Sequence, residues 1–221
     1  CMIRMPTSKL ALPLLLLFVS ACDADSAPQI DAPVQYPAAN LQEDAYQPGP
    51  DWQLVWSDEF EGDTLDPAKW TRQVVEAGRF NKEWQRYTDS SANAYIDGCC
   101  LVIRAIHESD AHGQDQYTSA RLHTLPENGW KYGKIAARIQ LPYGQGIWPA
   151  FWMLPQDFVY GGWAASGEID IVEAVNLGEA GNNTVHGTIH YGGEFPDNPL
   201  LPASLPHVRP ERPPFYQFAL G

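Results

Sequence analysis

Ser166-Gly167-Glu168-Ile169-Asp170-Ile171-Val172-Glu173 sets three carboxyls into an otherwise apolar, strand-like run. On a regular strand side chains alternate, so Glu168, Asp170 and Val172 share one face and Glu173 points to the other. A carboxylate on the core side of a sheet is costly unless it is paired or put to use. All three carboxyls reach one face only if an extra residue enters between Asp170 and Glu173. A β-bulge at Ile171-Val172 supplies that residue, and bulges gather beside active sites. The competing reading is an exposed strand edge carrying three solvated acids.

Outward from this run, strand-like segments recur at Trp52 to Trp56, Ala94 to Asp97, Leu101 to His107, Tyr117 to Thr124, Lys131 to Gln140, Ile147 to Leu154 and Val185 to Tyr191. Asp97-Gly98, Asn128-Gly129 and Tyr143-Gly144 supply turns between several of them. From Lys131 to Leu141 the set Gly133, Ile135, Ala137, Ile139, Leu141 opposes Tyr132, Lys134, Ala136, Arg138, Gln140, the pattern of a strand buried on one face. Leu65 to Trp70 reads as a turn with one helical twist. No phosphate-binding glycine motif and no long amphipathic helix interrupts the pattern. The expected class is all-β, a two-sheet antiparallel sandwich.

The chain of 221 residues suits one sizeable core. Its net charge of −13 disfavours nucleic acid and anionic membranes and leaves a neutral partner as the natural expectation. Arg4 and Lys9 precede an apolar run from Leu10 to Val19, so residues 1–22 read as a secretory signal outside the fold. Val19-Ser20-Ala21-Cys22 resembles a bacterial lipobox, which makes Cys22 a lipidation candidate. Membrane contact is expected only through that anchor, and the protein is expected in the bacterial envelope or secreted. Residues 23–50, rich in Ala, Pro, Asp and Gln, read as a linker. Adjacent Cys99 and Cys100 read as small strand residues, because neighbouring cysteines rarely meet disulfide geometry.

Two carboxyls on one concave face are what glycoside hydrolysis requires, and about 5–5.5 Å between them marks a retaining mechanism. With the bulge, Glu168 and Glu173 lie roughly 13 Å apart at Cα, a gap that two inward-leaning Glu side chains can close. Asp170 between them is placed to hydrogen-bond one carboxyl and keep the two pKa values apart. Trp148 and Trp152 lie on one face of a regular strand, where their rings can stack on sugars or pack in the core. Phe151 and Met153 on the other face are expected to supply that core.

Gly167 to Glu173 resembles the active-site signature of glycoside hydrolase family 16 in its bulged form. The resemblance runs from about Trp52 to Asn198, through Trp56-Ser57-Asp58-Glu59-Phe60, Asn81-Lys82-Glu83-Trp84-Gln85 with Tyr87-Thr88, and Tyr117 to Leu122. It continues through Tyr132 to Ile139, Gly146 to Pro155 and His186 to Gly193. It is nearest to the laminarinase-like endo-β-1,3-glucanases, which implies retaining cleavage of internal β-1,3 or mixed β-1,3/1,4 glucan linkages. It implies a β-jelly-roll sandwich with a cleft on the concave sheet, Glu168 as nucleophile, Glu173 as acid/base and Asp170 as the residue tuning Glu168. It places Asn81, Glu83, Arg121 and His190 beside the substrate, with a loop-bracing role as the alternative for the first three; Trp163, in the Gly-rich loop before the acidic strand, is a candidate cleft wall. It implies a β-glucan partner, a monomer, no cofactor for the chemistry, and a structural calcium for which Glu59 is a candidate ligand. The alternatives are a non-catalytic glucan-binding sandwich, or a relative acting on agarose, carrageenan or xyloglucan.

After Asn198 the resemblance stops. Residues 199–221 carry Pro199, Pro202, Pro206, Pro210, Pro213 and Pro214, a density that a central strand cannot absorb. No strands are expected there. The sandwich formed by residues 51–198 is expected to be incomplete at its C-terminal side, as in a fragment or a reading-frame slip.

Overall fold

Alternation built most of the fold as expected. The computed structural model describes residues 2–4, 50–98, 100–124, 129–193, 195–206 and 216–220. Its strands are β1 (Met2–Arg4), β2 (Trp70–Arg72), β3 (Gln85–Tyr87), β4 (Ala94–Ile96), β5 (Cys100–Ile103), β6 (Ile106–Ser109) and β7 (Asp115–Ser119). They continue with β8 (Leu122–Thr124), β9 (Ile135–Gln140), β10 (Ala150–Met153), β11 (Glu168–Glu173), β12 (Thr184–His190), β13 (Leu200–Pro206) and β14 (Tyr216–Leu220). Helical structure among the described residues is a single 3₁₀ turn at Glu179–Gly181. The class is all-β.

Two larger sheets form the sandwich, β14-β9-β1-β5-β4 and β10-β11-β12-β13, with β2-β8 and β3-β7-β6 as smaller flanking sheets. Ile139 of β9 and Leu141 meet Val172, Ala174, Leu177 and Val185 in one core, with Ala137 and Phe151 packed against it. The inward set foreseen for residues 133–141 is therefore the layer that backs the acidic strand. A second core joins Phe60, Leu65, Ala94, Leu101, Ile103 and Ala120. Burying a side chain such as Leu101, which is 0% exposed, contributes about 1.5–3 kcal/mol.

The antiparallel expectation holds for most ladders but not all. β1 runs parallel to both β5 and β9, and β3 runs parallel to β7. β1 also departs from the reading of residues 1–22 as lying wholly outside the fold, since Met2–Arg4 completes the ladder between β5 and β9. Those two strands face each other across a slot one strand wide, and any short extended segment can satisfy both sets of backbone groups. The remainder of that segment, Cys22, most of the expected linker and Cys99 lie outside the described residues. Cys100 is buried at the start of β5.

Two further expectations are corrected. The proline-rich stretch forms strand β13, seven residues in register with β12 from Thr184↔Pro206 to His190↔Leu200. β13 is the edge of its sheet, so Pro202 and Pro206 need no partner on the outer side, and a proline is tolerated there as it is not in a central strand. β14 likewise lies at an edge, against β9. Conversely, Trp52 to Trp56 joins no ladder; Trp52, Leu54 and Val55 are exposed. Alternation supplies a face but not a partner strand, and this segment docks instead through Trp56, edge-on to Trp70 and Trp130 at 5.6 Å each.

Candidate active site

Gly167 has a φ of +94°, a left-handed conformation that favours glycine, and it turns the chain into β11. Beyond it the ladder slips. Asp170 pairs with Thr188 and Glu173 with His186, leaving Ile171 and Val172 opposite Gly187 alone. The β10 side slips at the same point, with Phe151↔Val172 followed by Trp152↔Asp170. This is the expected bulge. It sends Val172 into the core at 1% exposure and returns Glu173 to the side of Asp170.

Asp170 is 4% exposed. Burial, then the charges of Glu173 and Glu168, then a hydrogen bond with Glu168 push its pKa up to about 8. At neutral pH it therefore keeps its proton and shares it with Glu168. His190 Nε2 stands 3.2 Å from Asp170 Oδ2, within ion-pair reach. The pair is off-line for a hydrogen bond, so Oδ2 has no hydrogen-bond partner; the contact is best described as proximity.

Each glutamate accepts an indole N–H. Trp163 Nε1 donates to Glu168 Oε2 at 2.7 Å, and Trp148 Nε1 donates to Glu173 Oε1 at 2.9 Å. Both rings remain open, 38% and 49% exposed respectively, as sugar-stacking surfaces require. Trp163 also lies 5.4 Å from His190 between ring centres. Phe151 packs against the core, as alternation foresaw, and Trp152, opposite Asp170 in the ladder, lies against the Arg121 guanidinium. His186 is bound across the ladder to Ser204 Oγ at 2.9 Å.

Asn81, Glu83 and Arg121 do form a bracing network. Tyr87 donates to Glu83 Oε2 at 2.7 Å, and Gln85 Nε2 donates to the same oxygen at 3.1 Å and to the Tyr87 hydroxyl at 2.8 Å. Asn81 joins only through a long 3.5 Å contact to Glu83. Arg121 Nε donates to Gln73 Oε1 at 2.6 Å, and its guanidinium lies 4.5 Å from the Phe80 ring centre and 4.4 Å from that of Trp152. Burial lowers the Arg121 pKa, opposed by the charges of Glu83 and Glu168 among others. Burial and Glu83 raise Tyr87 to about 12. The network thus reaches the acids through Trp152 and through charge.

Gln73, Phe80, Gln85 and Tyr87 were not foreseen as members. For Glu83, Gln85 and Tyr87 the two-residue spacing was the available signal.

Glu168, Asp170 and His190 could also hold a cation, their ligand atoms lying within 4.8 Å of one another. Glu59 is exposed, and among the described residues it belongs to no such group of three.

A family model described as the XgeA-like, catalytic GH16 domain matches residues 86–194. The chain is 44% identical over 158 residues to glucan endo-1,3-beta-glucosidase A1 of Niallia circulans, covering 66% of this chain and 23% of that protein. It is 44% identical over 154 residues to the beta-glucanase of Rhodothermus marinus, covering 68% of this chain and 52% of that one. It thus spans about half or less of these relatives. Among solved structures it resembles the laminarinase catalytic domain from Thermotoga maritima MSB8, with TM-score 0.62 and 37% identity, over 77% of this chain and 70% of that one.

Proposed function

Because the chain belongs to glycoside hydrolase family 16, we propose that it is an endo-acting, retaining hydrolase of internal β-1,3 linkages in glucans. The observation carrying this reading is the bulged β11. It gathers Glu168, Asp170 and Glu173 on one face, each glutamate held by an indole N–H beside an open aromatic ring. A merely glucan-binding sandwich would need the rings but not the paired carboxyls.

In the first step a Glu168 oxygen attacks the anomeric carbon, a glycosyl–enzyme bond forms and the glycosidic C–O bond breaks. Glu173 delivers its proton to the departing oxygen. In the second step Glu173 takes a proton from water, whose oxygen attacks the anomeric carbon and frees Glu168. Two inversions give net retention. The proton on Asp170, donated toward Glu168, orients that carboxyl for attack. Arg121 and Glu83 brace Trp152, whose ring forms part of the sugar-binding floor. None of these steps asks for a cofactor.

Reducing-end release from laminarin tests this. Glu168→Gln and Glu173→Gln are each expected to lower it by at least about 10³-fold while the chain still binds the polymer. Undiminished hydrolysis in either variant overturns the assignment. The export reading is proposed with it: Cys22→Ser should abolish incorporation of labelled fatty acid in a bacterial host, and persistent labelling refutes the anchor.

A further inference from the structure

The face that carries the acids does not end at Arg121. Trp152 stands opposite Asp170 in the ladder, Arg121 lies against Trp152, and Tyr87 is within electrostatic reach of Arg121. Gln85 and Tyr87, two apart, share one face of β3, and both bond to Glu83, which precedes the strand. Gln85 is the register partner of Tyr117 on β7, and Tyr117 is that of His107 on β6. Paired residues project to the same side of a sheet. A chain of neighbouring side chains therefore links the acidic strand to His107, across two sheets joined at the Arg121–Trp152 contact.

Its outer end is a built aromatic corner. Tyr117 and His107 stack at 4.7 Å with an interplanar angle of 16°, and His107 Nε2 meets Asp115 Oδ1 at 2.7 Å. Trp84 leans on Tyr117 at 5.7 Å, tilted by 48°, yet is 76% exposed. An indole braced on one side but left in water forgoes most of the stabilisation its burial would give. Its open face is continuous with a surface already suited to sugar rings, and the His107–Asp115 pair beside it offers polar groups for hydroxyls.

We propose that Trp84, braced by Tyr117, is a remote sugar-binding subsite that holds a pyranose unit of the same glucan chain beyond those that meet the acids. The ligand class rests on the function proposed above. The consequence is a preference for long chains over short ones. A chain that reaches Trp84 gains one more stacking contact, while an oligosaccharide confined to the acids does not.

Trp84→Ala is tested in the full chain in two ways. In native gels cast with laminarin, on a Glu168→Gln background, the variant should show about fivefold weaker retardation, and Trp84→Tyr should recover most of it. In hydrolysis, the ratio of kcat/KM on laminarin to kcat/KM on a β-1,3-glucotriose should fall about fivefold. Damage to the acidic strand would lower both values together and leave the ratio fixed. Unchanged retardation and an unchanged ratio overturn the subsite. The gel needs no turnover, so it decides the subsite even if the assignment of Glu168 and Glu173 fails.

Discussion

The two ends of β11 present the same side chain in different settings. Glu168 has the protonated Asp170 beside it, the Trp163 indole on one oxygen at 2.7 Å and His190 across the ladder. Glu173 has the Trp148 indole at 2.9 Å, a ring 49% exposed, and His186, itself bound to Ser204, across the ladder. Glu168 thus has two donors, the Trp163 indole and Asp170, and Glu173 has one, the Trp148 indole. Under the proposed mechanism, what separates the nucleophile from the proton carrier is not residue type but the number of hydrogen-bond donors around each.

The sharpest way to break this comparison is to delete each carboxyl and offer azide in its place. Both Glu168→Ala and Glu173→Ala should lose at least about 10³-fold on laminarin. With an activated aryl β-glucoside, azide should rescue both but with opposite stereochemistry: the α-glycosyl azide from Glu168→Ala, the β-azide from Glu173→Ala. The same anomer from both variants would erase the distinction between the ends.

Asp170 sharpens the comparison through pH. Its folded pKa of about 8 stands above its unfolded value of about 3.9. Below about pH 4 both states hold the proton and the group is neutral for stability. Between pH 4 and 8 the unfolded chain releases a proton that the folded chain keeps, so the contribution of Asp170 to stability falls as pH rises through that window. Asp170→Asn should remove this slope in denaturant titrations and stabilise the protein most, relative to the parent, near pH 8. Its activity should drop about 10–100-fold, and the alkaline fall of the parent near pH 8 should disappear. A stability slope that persists in the variant would assign the titration to another group.

Most of this site was legible before the fold was known, for a physical reason. The bulge is a contradiction between period-two alternation and three acids on one face, and such a contradiction is written in sequence. Leu141 and Phe151 were legible through the same alternation, as the inward neighbours of Gln140 and Trp152. What alternation does not encode is the partner. Trp52 to Trp56 alternates and finds no strand, whereas β13 carries prolines and finds an edge that tolerates them. The bonds to Glu168 and Glu173 were equally hidden, since Trp163 reaches its acid from a loop and Trp148 reaches across 25 positions.

Those two indoles give the finest test. A hydrogen bond to a charged group contributes about 1.5–3 kcal/mol when well sheltered, and less where water competes. Trp163→Phe keeps an aromatic face for sugar and removes only the donor to Glu168, so kcat should fall about tenfold with KM nearly constant. Trp148→Phe does the same at Glu173, whose donor indole is the more exposed of the two, so water can replace the lost donor and the fall should be about twofold to threefold. If the ends of β11 are alike, the two losses will be equal. If the difference in donors sets the roles, the Trp163 change will cost more, and it will do so in formation of the glycosyl–enzyme, visible as loss of the burst with an aryl glucoside whose departure needs no proton from Glu173.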